Sequence, residues 1–287
     1  MARIAYVNGR YVPHREAGVS IDDRGLQFGD AVYEVCEVRD GALIDLPLHL
    51  DRLEHSLGAL GMAMPMPRGS LVAVLKQVAL RNKVHYGHLY WQISRGVARR
   101  DHGFPKGAAS TLIVTGYPGN LAKYEANAAA GVACVTHPDE RWARVDIKTT
   151  GLLPNVLAKQ AARTAGAYEA ILVRPDGTVS EGSSTSVWII TQDGTLVTRP
   201  PGPEILPGIT GAVLRRVAAR EGCSVEERPF TVEEAKSARE VFLTSAGNTV
   251  MPVVRIDDAI IANGAPGSIA TRLRTAYHAY VHRTALQ

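Results

Sequence analysis

A lysine, a glutamate and several arginines are the side chains of this sequence whose setting suggests chemistry. Lys148 closes Trp142-Ala143-Arg144-Val145-Asp146-Ile147-Lys148, where apolar and polar residues alternate. The alternation predicts a strand that delivers the lysine at its end. Such a lysine has two readings. It is a strand-end surface cation, as most lysines are, or it is an amine for Schiff-base chemistry, which needs a rigid element, partial desolvation and charged neighbours. Spacing alone leaves both open. Arg52 sits within an apolar helical pattern but on another face, and its planar fork of donors suits phosphate oxygens as well as solvent. Leu206-Pro207-Gly208-Ile209-Thr210 opens a predicted helix at Gly211, which aims free N–H groups and a threonine hydroxyl at one point. Arg100 and His102 share parity, so an extended loop points both the same way.

These residues need a scaffold, and the chain supplies patterned elements on both sides of them. Asn8-Gly9 between short apolar runs in residues 4–12 predicts a hairpin. Residues 31–38 read as a strand followed by the turn Asp40-Gly41. Residues 49–62 and 71–80 read as helices, the first from Leu50, Leu53, Leu57 and Leu60 at spacings of three and four. Strands are predicted at 89–93 and 111–115, joined by the polar loop Ser94 to Pro105. Composition changes at Pro118-Gly119-Asn120. This suggests an N-terminal α/β domain over 1–118, a linker over 119–131 and a second domain over 132–287. In the second half, strands are expected at 131–137, 170–173, 187–191 and 241–243. Helices are expected at 155–163, 211–220 and 269–281.

The chain has 287 residues, enough for two cores, with 46% hydrophobic and 21% charged residues. A net charge of +4 without a Lys/Arg run argues against a nucleic-acid partner. The cysteines, Cys36, Cys134 and Cys223, are odd in number and far apart, which favours a reducing compartment over disulfides or zinc. With no charged leader or long apolar run, the expectation is a cytoplasmic protein without a membrane partner. Scattered histidines give no metal-ligand spacing, and no P-loop or nucleophile elbow occurs.

Arg141-Trp142 with Asp146-Ile147-Lys148, then Leu152-Leu153 and Asn155-Val156-Leu157-Ala158-Lys159-Gln160, resembles the lysine segment of fold-type IV pyridoxal-phosphate (PLP) enzymes. Within that group the resemblance is to D-amino-acid transaminases. Tyr168-Glu169-Ala170-Ile171-Leu172 and Val179-Ser180-Glu181-Gly182-Ser183-Ser184 continue it, as does His49-Leu50-Asp51-Arg52-Leu53. The resemblance implies an α/β (α+β) fold of two domains with the cofactor in the interdomain cleft. Lys148 would hold the cofactor and shuttle a proton, and Glu181 would face the ring nitrogen. Arg52, Ile209 and Thr210 would hold the phosphate, and Leu206 would pack on the ring. The turn Thr244-Ser245-Ala246-Gly247-Asn248 departs from the family, which usually has a hydroxyl where Ala246 stands. Ser245 or a backbone N–H would then supply that bond. Tyr33, Arg100 and His102 match the family's carboxylate trap.

By resemblance, the substrates are small amino and keto acids. The reaction moves the amino group of a D-amino acid, D-alanine by preference, to 2-oxoglutarate, giving pyruvate and D-glutamate. A homodimer with parts of each site lent by the partner is implied as well. The rival readings are aminodeoxychorismate lyase, a branched-chain L-amino-acid or amine transaminase, and a non-catalytic binding protein on the same fold.

Overall fold

The computed structural model describes residues 4–285. The chain divides into two compact units. Unit 1 comprises Met1–Leu121, Ile147–Gly151 and Thr284–Gln287, and unit 2 comprises Ala122–Asp146 and Leu152–Arg283.

In unit 1 the elements are β1 (Ile4–Val7), β2 (Arg10–Pro13), α1 (Arg24–Phe28), β3 (Ala31–Arg39), β4 (Ala42–Leu43), α2 (Leu46–Ala59), α3 (Arg68–Arg81), β5 (Tyr86–Ser94) and β6 (Thr111–Pro118). The strands form one antiparallel sheet ordered β2-β1-β6-β5-β3-β4. Asn8 and Gly9 both take positive φ (45° and 91°), the geometry that a two-residue hairpin turn demands. Asp40 and Gly41 repeat it between β3 and β4 (52° and 81°). Leucines of α2 (Leu50, Leu53, Leu57) and α3 (Leu71, Leu75) pack with Val32, Cys36, Leu89, Trp91 and Ile93 of the sheet. That one-sided apolar face is what the leucine spacing encodes.

In unit 2 the elements are α4 (Leu121–Ala130), β7 (Val132–Pro138), α5 (Leu153–Thr164), β8 (Glu169–Val173), β9 (Val179–Gly182), β10 (Ser186–Ile190), β11 (Leu196–Thr198), α6 (Ile209–Arg220), β12 (Val225–Glu227), α7 (Val232–Lys236), β13 (Glu240–Ser245), β14 (Thr249–Ile256), β15 (Ala259–Ile260) and α8 (Ser268–Ala285). The nine-stranded sheet runs β12-β11-β10-β13-β14-β7-β8-β9, with β15 on β14. It is mixed: β7 pairs in parallel with β8 and β14, while β13 pairs antiparallel with β10 and β14. The β7-to-β8 crossover carries α5, whose Ala158 and Ala162 pack on Ala170 and Leu172. Small residues at that contact let the helix lie close to the strand. The stretch expected as a linker, 119–131, carries the ten-residue α4. Among the described residues no helix is long and apolar enough to cross a membrane.

One expected element is absent. Residues 142–148 form no strand, and Val145-Asp146 lies in a turn. The alternation in residue type is not an alternation in burial, since Trp142, Ala143 and Arg144 are all exposed. The charges fit a turn better: Arg144 reaches Asp146 two residues on, Nε to Oδ1 at 2.9 Å and Nη2 to Oδ2 at 2.9 Å.

Candidate active site

In unit 1, Lys148 is fixed by its backbone. Its carbonyl accepts a hydrogen bond from the Tyr33 N–H at 2.9 Å, and Thr150 N–H donates to Ala31 O at 3.0 Å. Thr149 bridges Val32 of β3, and Lys148 N–H donates to Ser56 Oγ of α2 at 3.2 Å. Ile147, only 3% exposed, is buried in the core of unit 1. An irregular segment is thus held as firmly as a sheet edge. The amine of Lys148 lies 4.2 Å from the Tyr33 ring centroid, a cation–π distance. Tyr33 in turn stacks on Tyr90, with centroids 5.6 Å apart.

Arg52 is buried, not solvent-facing as a helix arginine usually is. It donates Nε to Glu34 Oε1 at 2.7 Å and Nη2 to Glu34 Oε2 at 2.8 Å. His49 Nδ1 lies 2.8 Å from the same carboxylate. Burial alone would raise the Glu34 pKa, but Arg52 and His49 override it and hold it at about 2, against a usual 4.5. Burial lowers the His49 pKa, and the charges of Arg52 and Lys148 add to that against the pull of Glu34. The carboxylate therefore sets the orientation of the Arg52 fork from inside the sheet.

Arg100 and His102 share one partner. The Arg100 guanidinium lies 4.8 Å from the Phe28 ring centroid and the His102 ring lies 5.4 Å from it. The loop is not extended there, bending at residues 100, 102 and 103, so their meeting at one ring comes from the bend and not from strand parity. Tyr33 has Lys148 and Tyr90 as ring partners, so the third member expected of the trap belongs to a different cluster within the unit.

In unit 2, Glu181 sits on the short buried strand β9. Its carboxylate pairs with Arg141 Nη1 and accepts the Leu206 N–H at 3.3 Å on each oxygen. Arg141 also grips Asp139, Nε to Oδ1 at 2.8 Å and Nη2 to Oδ2 at 2.8 Å, and reaches Ser180 Oγ at 3.3 Å. Burial would lower the Arg141 pKa, but Asp139 and Glu181 hold it above its ordinary value. Burial would raise Asp139, and the bonds from Arg141 and Ser180 hold it below the usual carboxylate range. The motif reading gave Arg141 no role. The sequence signal for one is Asp139 two residues before it, a spacing that lets a side chain fold back on its neighbour.

Helix α6 begins at Ile209-Thr210 with Gly208 as N-cap and no side-chain cap. Its first N–H groups therefore have no acceptor within the helix, and the buried Thr210 stands among them. Gly211 lies against β10 and β13: a Cβ there would be 3.4 Å from Trp188 Cζ2 and 4.0 Å from Thr244 Oγ1. Next along β13 is the Ser245-Ala246-Gly247-Asn248 turn, where Asn248 N–H donates to Ser245 O at 3.2 Å and Ser245 Oγ at 3.3 Å. Arg274 of α8 braces that turn, donating Nη1 to Asn248 O at 2.8 Å, Thr249 Oγ1 at 2.7 Å and Val250 O at 2.7 Å. An uncapped helix start beside a small-residue turn, with Glu181 tied to the Leu206 backbone, fits a phosphorylated aromatic cation.

Comparison with known proteins agrees with this chemistry. The model of the class IV amino-transferase family matches residues 31–256. The chain is 40% identical over 269 residues to the D-alanine aminotransferase of Bacillus licheniformis, covering 94% of each. It is 36% identical over 276 residues to the D-alanine aminotransferase of Staphylococcus epidermidis, covering 96% of this chain and 97% of that one. Among solved structures, the T.th. branched-chain amino acid aminotransferase with pyridoxamine 5'-phosphate has a TM-score of 0.90 at 27% identity, covering 99% of this chain and 95% of that one. The branched-chain amino acid aminotransferase of Escherichia coli shares the fold, with a TM-score of 0.91 at 23% identity, covering 98% of this chain and 95% of that one. A family model running from the first residue of β3 to the last of β14, with relatives matched along nearly their whole length, leaves one conclusion: this chain belongs to the class IV aminotransferases.

Proposed function

We propose that the protein is a PLP-dependent D-amino-acid transaminase that moves the amino group of D-alanine to 2-oxoglutarate, giving pyruvate and D-glutamate. The observation that carries this reading is the Lys148 amine, fixed 4.2 Å from the Tyr33 ring centroid in a chain 40% identical to a D-alanine aminotransferase.

When bound, PLP supplies an electron sink for the pair left on the substrate Cα. The residues do the rest. Lys148 is the amine that would hold the cofactor, and as a free amine it would act as the base that takes the substrate Cα proton and gives it back on the cofactor side. Glu181 would accept a hydrogen bond from the cofactor's ring nitrogen, and Arg141 and the Leu206 N–H keep its carboxylate in place. Ile209 N–H and the Thr210 hydroxyl would hold phosphate oxygens, as would Ser245, the backbone at Ala246 and Arg52, whose guanidinium Glu34 orients. Leu206 would pack on the cofactor ring. Arg100, His102 and Tyr33 take the substrate carboxylate, through the fork of one and the ring donors of the others. The reading includes a homodimer in the cytoplasm, resting on the resemblance and on cysteines unsuited to disulfides.

The test is product analysis of the loaded enzyme. D-alanine with 2-oxoglutarate should yield equal amounts of pyruvate and D-glutamate, and L-alanine, L-leucine or the Lys148→Ala variant should yield neither. Turnover of L-leucine in place of D-alanine contradicts the D-specific reading. Pyruvate released from aminodeoxychorismate without an amino acceptor places the protein among the lyases.

A further inference from the structure

The loop that carries Arg100 and His102 has a fixed template, and one side chain of that template reaches two of its backbone carbonyls. Residues 22–30 run along the start of the loop. Arg24 N–H donates to Gly96 O at 2.9 Å, Arg95 N–H to Asp30 O at 3.1 Å, and Ala98 N–H to Asp22 O at 3.3 Å. Asp23 bridges Val97 and accepts the Ser94 hydroxyl at 3.0 Å. The approach is close: a Cβ on Gly96 (φ +95°) would fall 1.9 Å from Ala109 O, so this corner admits only glycine.

Arg24 itself is only 3% exposed although it is charged and lies at the first position of a five-residue helix. Its Nε donates to Asp30 Oδ2 at 2.8 Å, an oxygen that also accepts Arg95 Nε at 2.8 Å. Its two remaining nitrogens go to the loop backbone beside the trap residues: Nη1 to Asp101 O at 2.5 Å and, as a longer contact, Nη2 to His102 O at 3.4 Å. Its guanidinium also lies 4.8 Å from the Phe28 ring centroid, the ring shared by Arg100 and His102. Burial would raise the Asp30 pKa, but the bonds and charges of Arg95 and Arg24 keep it below the usual carboxylate range. The anchor of this network is thus a carboxylate between two arginines.

We infer that Arg24 is the positioning residue of the substrate-carboxylate trap, setting where the Arg100 guanidinium and the His102 ring stand without touching substrate itself. The inference rests on the assignment of Arg100 and His102 to the trap. A guanidinium suits the task because its planar fork serves the Asp30 carboxylate and two carbonyls at once. An ammonium reaches one or two of these and loses the stack on Phe28.

Initial-rate kinetics of the loaded enzyme test this in Arg24→Lys, Arg100→Ala and the double variant. Arg24→Lys should raise KM for D-alanine and 2-oxoglutarate roughly tenfold while kcat stays within about threefold, because trap geometry acts on binding and not on proton transfer. The visible absorbance per chain should match the wild type. In the Arg100→Ala background the same substitution should change KM by less than about twofold, as two residues acting through one contact do not add. A loss of kcat or of visible absorbance at unchanged KM, or effects that multiply in the double variant, overturns the inference. If Arg24→Lys does not fold, Asp30→Asn keeps Arg24 and loosens its anchor, and it should show the same KM-only pattern; wild-type KM in Asp30→Asn is the contrary result. Should Arg100→Ala itself leave KM unchanged, it is the trap assignment that fails. Should Arg100→Ala raise KM while the Arg24 variant does not, the positioning role alone is lost.

Discussion

Glu181 is an acid whose usefulness depends on its neighbours. Arg141 touches Glu181, Asp139 and Ser180 from a position where its side chain is only 5% exposed. Breaking such a buried array by deleting one partner is costly, since it strands charge in a poorly solvated place. On the proposed assignment of Glu181 to the cofactor's ring nitrogen, a neutral amide at 181 would leave that nitrogen without an opposite charge and weaken the electron sink. Glu181→Gln is therefore expected to lower kcat roughly a hundredfold, the usual scale for a preorganised electrostatic contact, with substrate KM little changed. Steady-state kinetics at saturating cofactor measure it, and a kcat at the wild-type level contradicts the assignment. The glutamate could be found in the sequence because Ser180-Glu181-Gly182 lies in a recognisable run. Its partner Arg141 carries a local signal only for Asp139, two residues before it, and nothing in that stretch says that residue 181, forty positions on, meets it as well.

The arrangement of Glu34, His49 and Arg52 across β3 and α2 makes a prediction at the scale of elements. Glu34 is 0% exposed and has its pKa held at about 2. A carboxyl whose folded pKa lies below its unfolded value contributes stability that is complete above the unfolded value, near 4.5 here, and is lost as pH falls through the folded value, near 2. A shift of this size is worth roughly 3 kcal/mol. His49, with its pKa lowered by burial, acts in the same direction, because it must gain a proton more readily once unfolded. Urea midpoints should accordingly fall steeply between pH 5 and pH 2 on the scale of these pKa values, and less steeply in Glu34→Gln. Equal slopes for the two proteins would sink this account of the cluster. The hairpin turns and the leucine-patterned helices were legible because their signals are local. The lysine segment was not: its residue types alternate as in a strand, yet it is held by hydrogen bonds to β3 and α2, elements that lie far earlier in the chain.

At the scale of the molecule, two cores were expected and two compact units are found, but the chain does not divide cleanly between them. Residues 147–151, Lys148 among them, cluster with unit 1 although β7 before them and α5 after them belong to unit 2. Periodicity carries no information about such an excursion. Strand β14 was also missed, since Val250-Met251-Pro252-Val253 is a continuous apolar run with a proline inside it, which blurs both the period and the strand signal. What pointed to the family was the resemblance of the runs around Lys148, Glu181 and Arg52 to its members, which does not depend on the elements that carry those residues. Lys148 and its neighbours are proposed to carry a half-reaction specific for D-amino acids. The most direct test is the absorbance spectrum of the loaded enzyme with D-alanine added and no keto acid present. Loss of the visible band, growth of a band at shorter wavelength and no response to L-alanine or L-leucine is the predicted result. A visible band that persists with D-alanine but fades with an L-amino acid would contradict it.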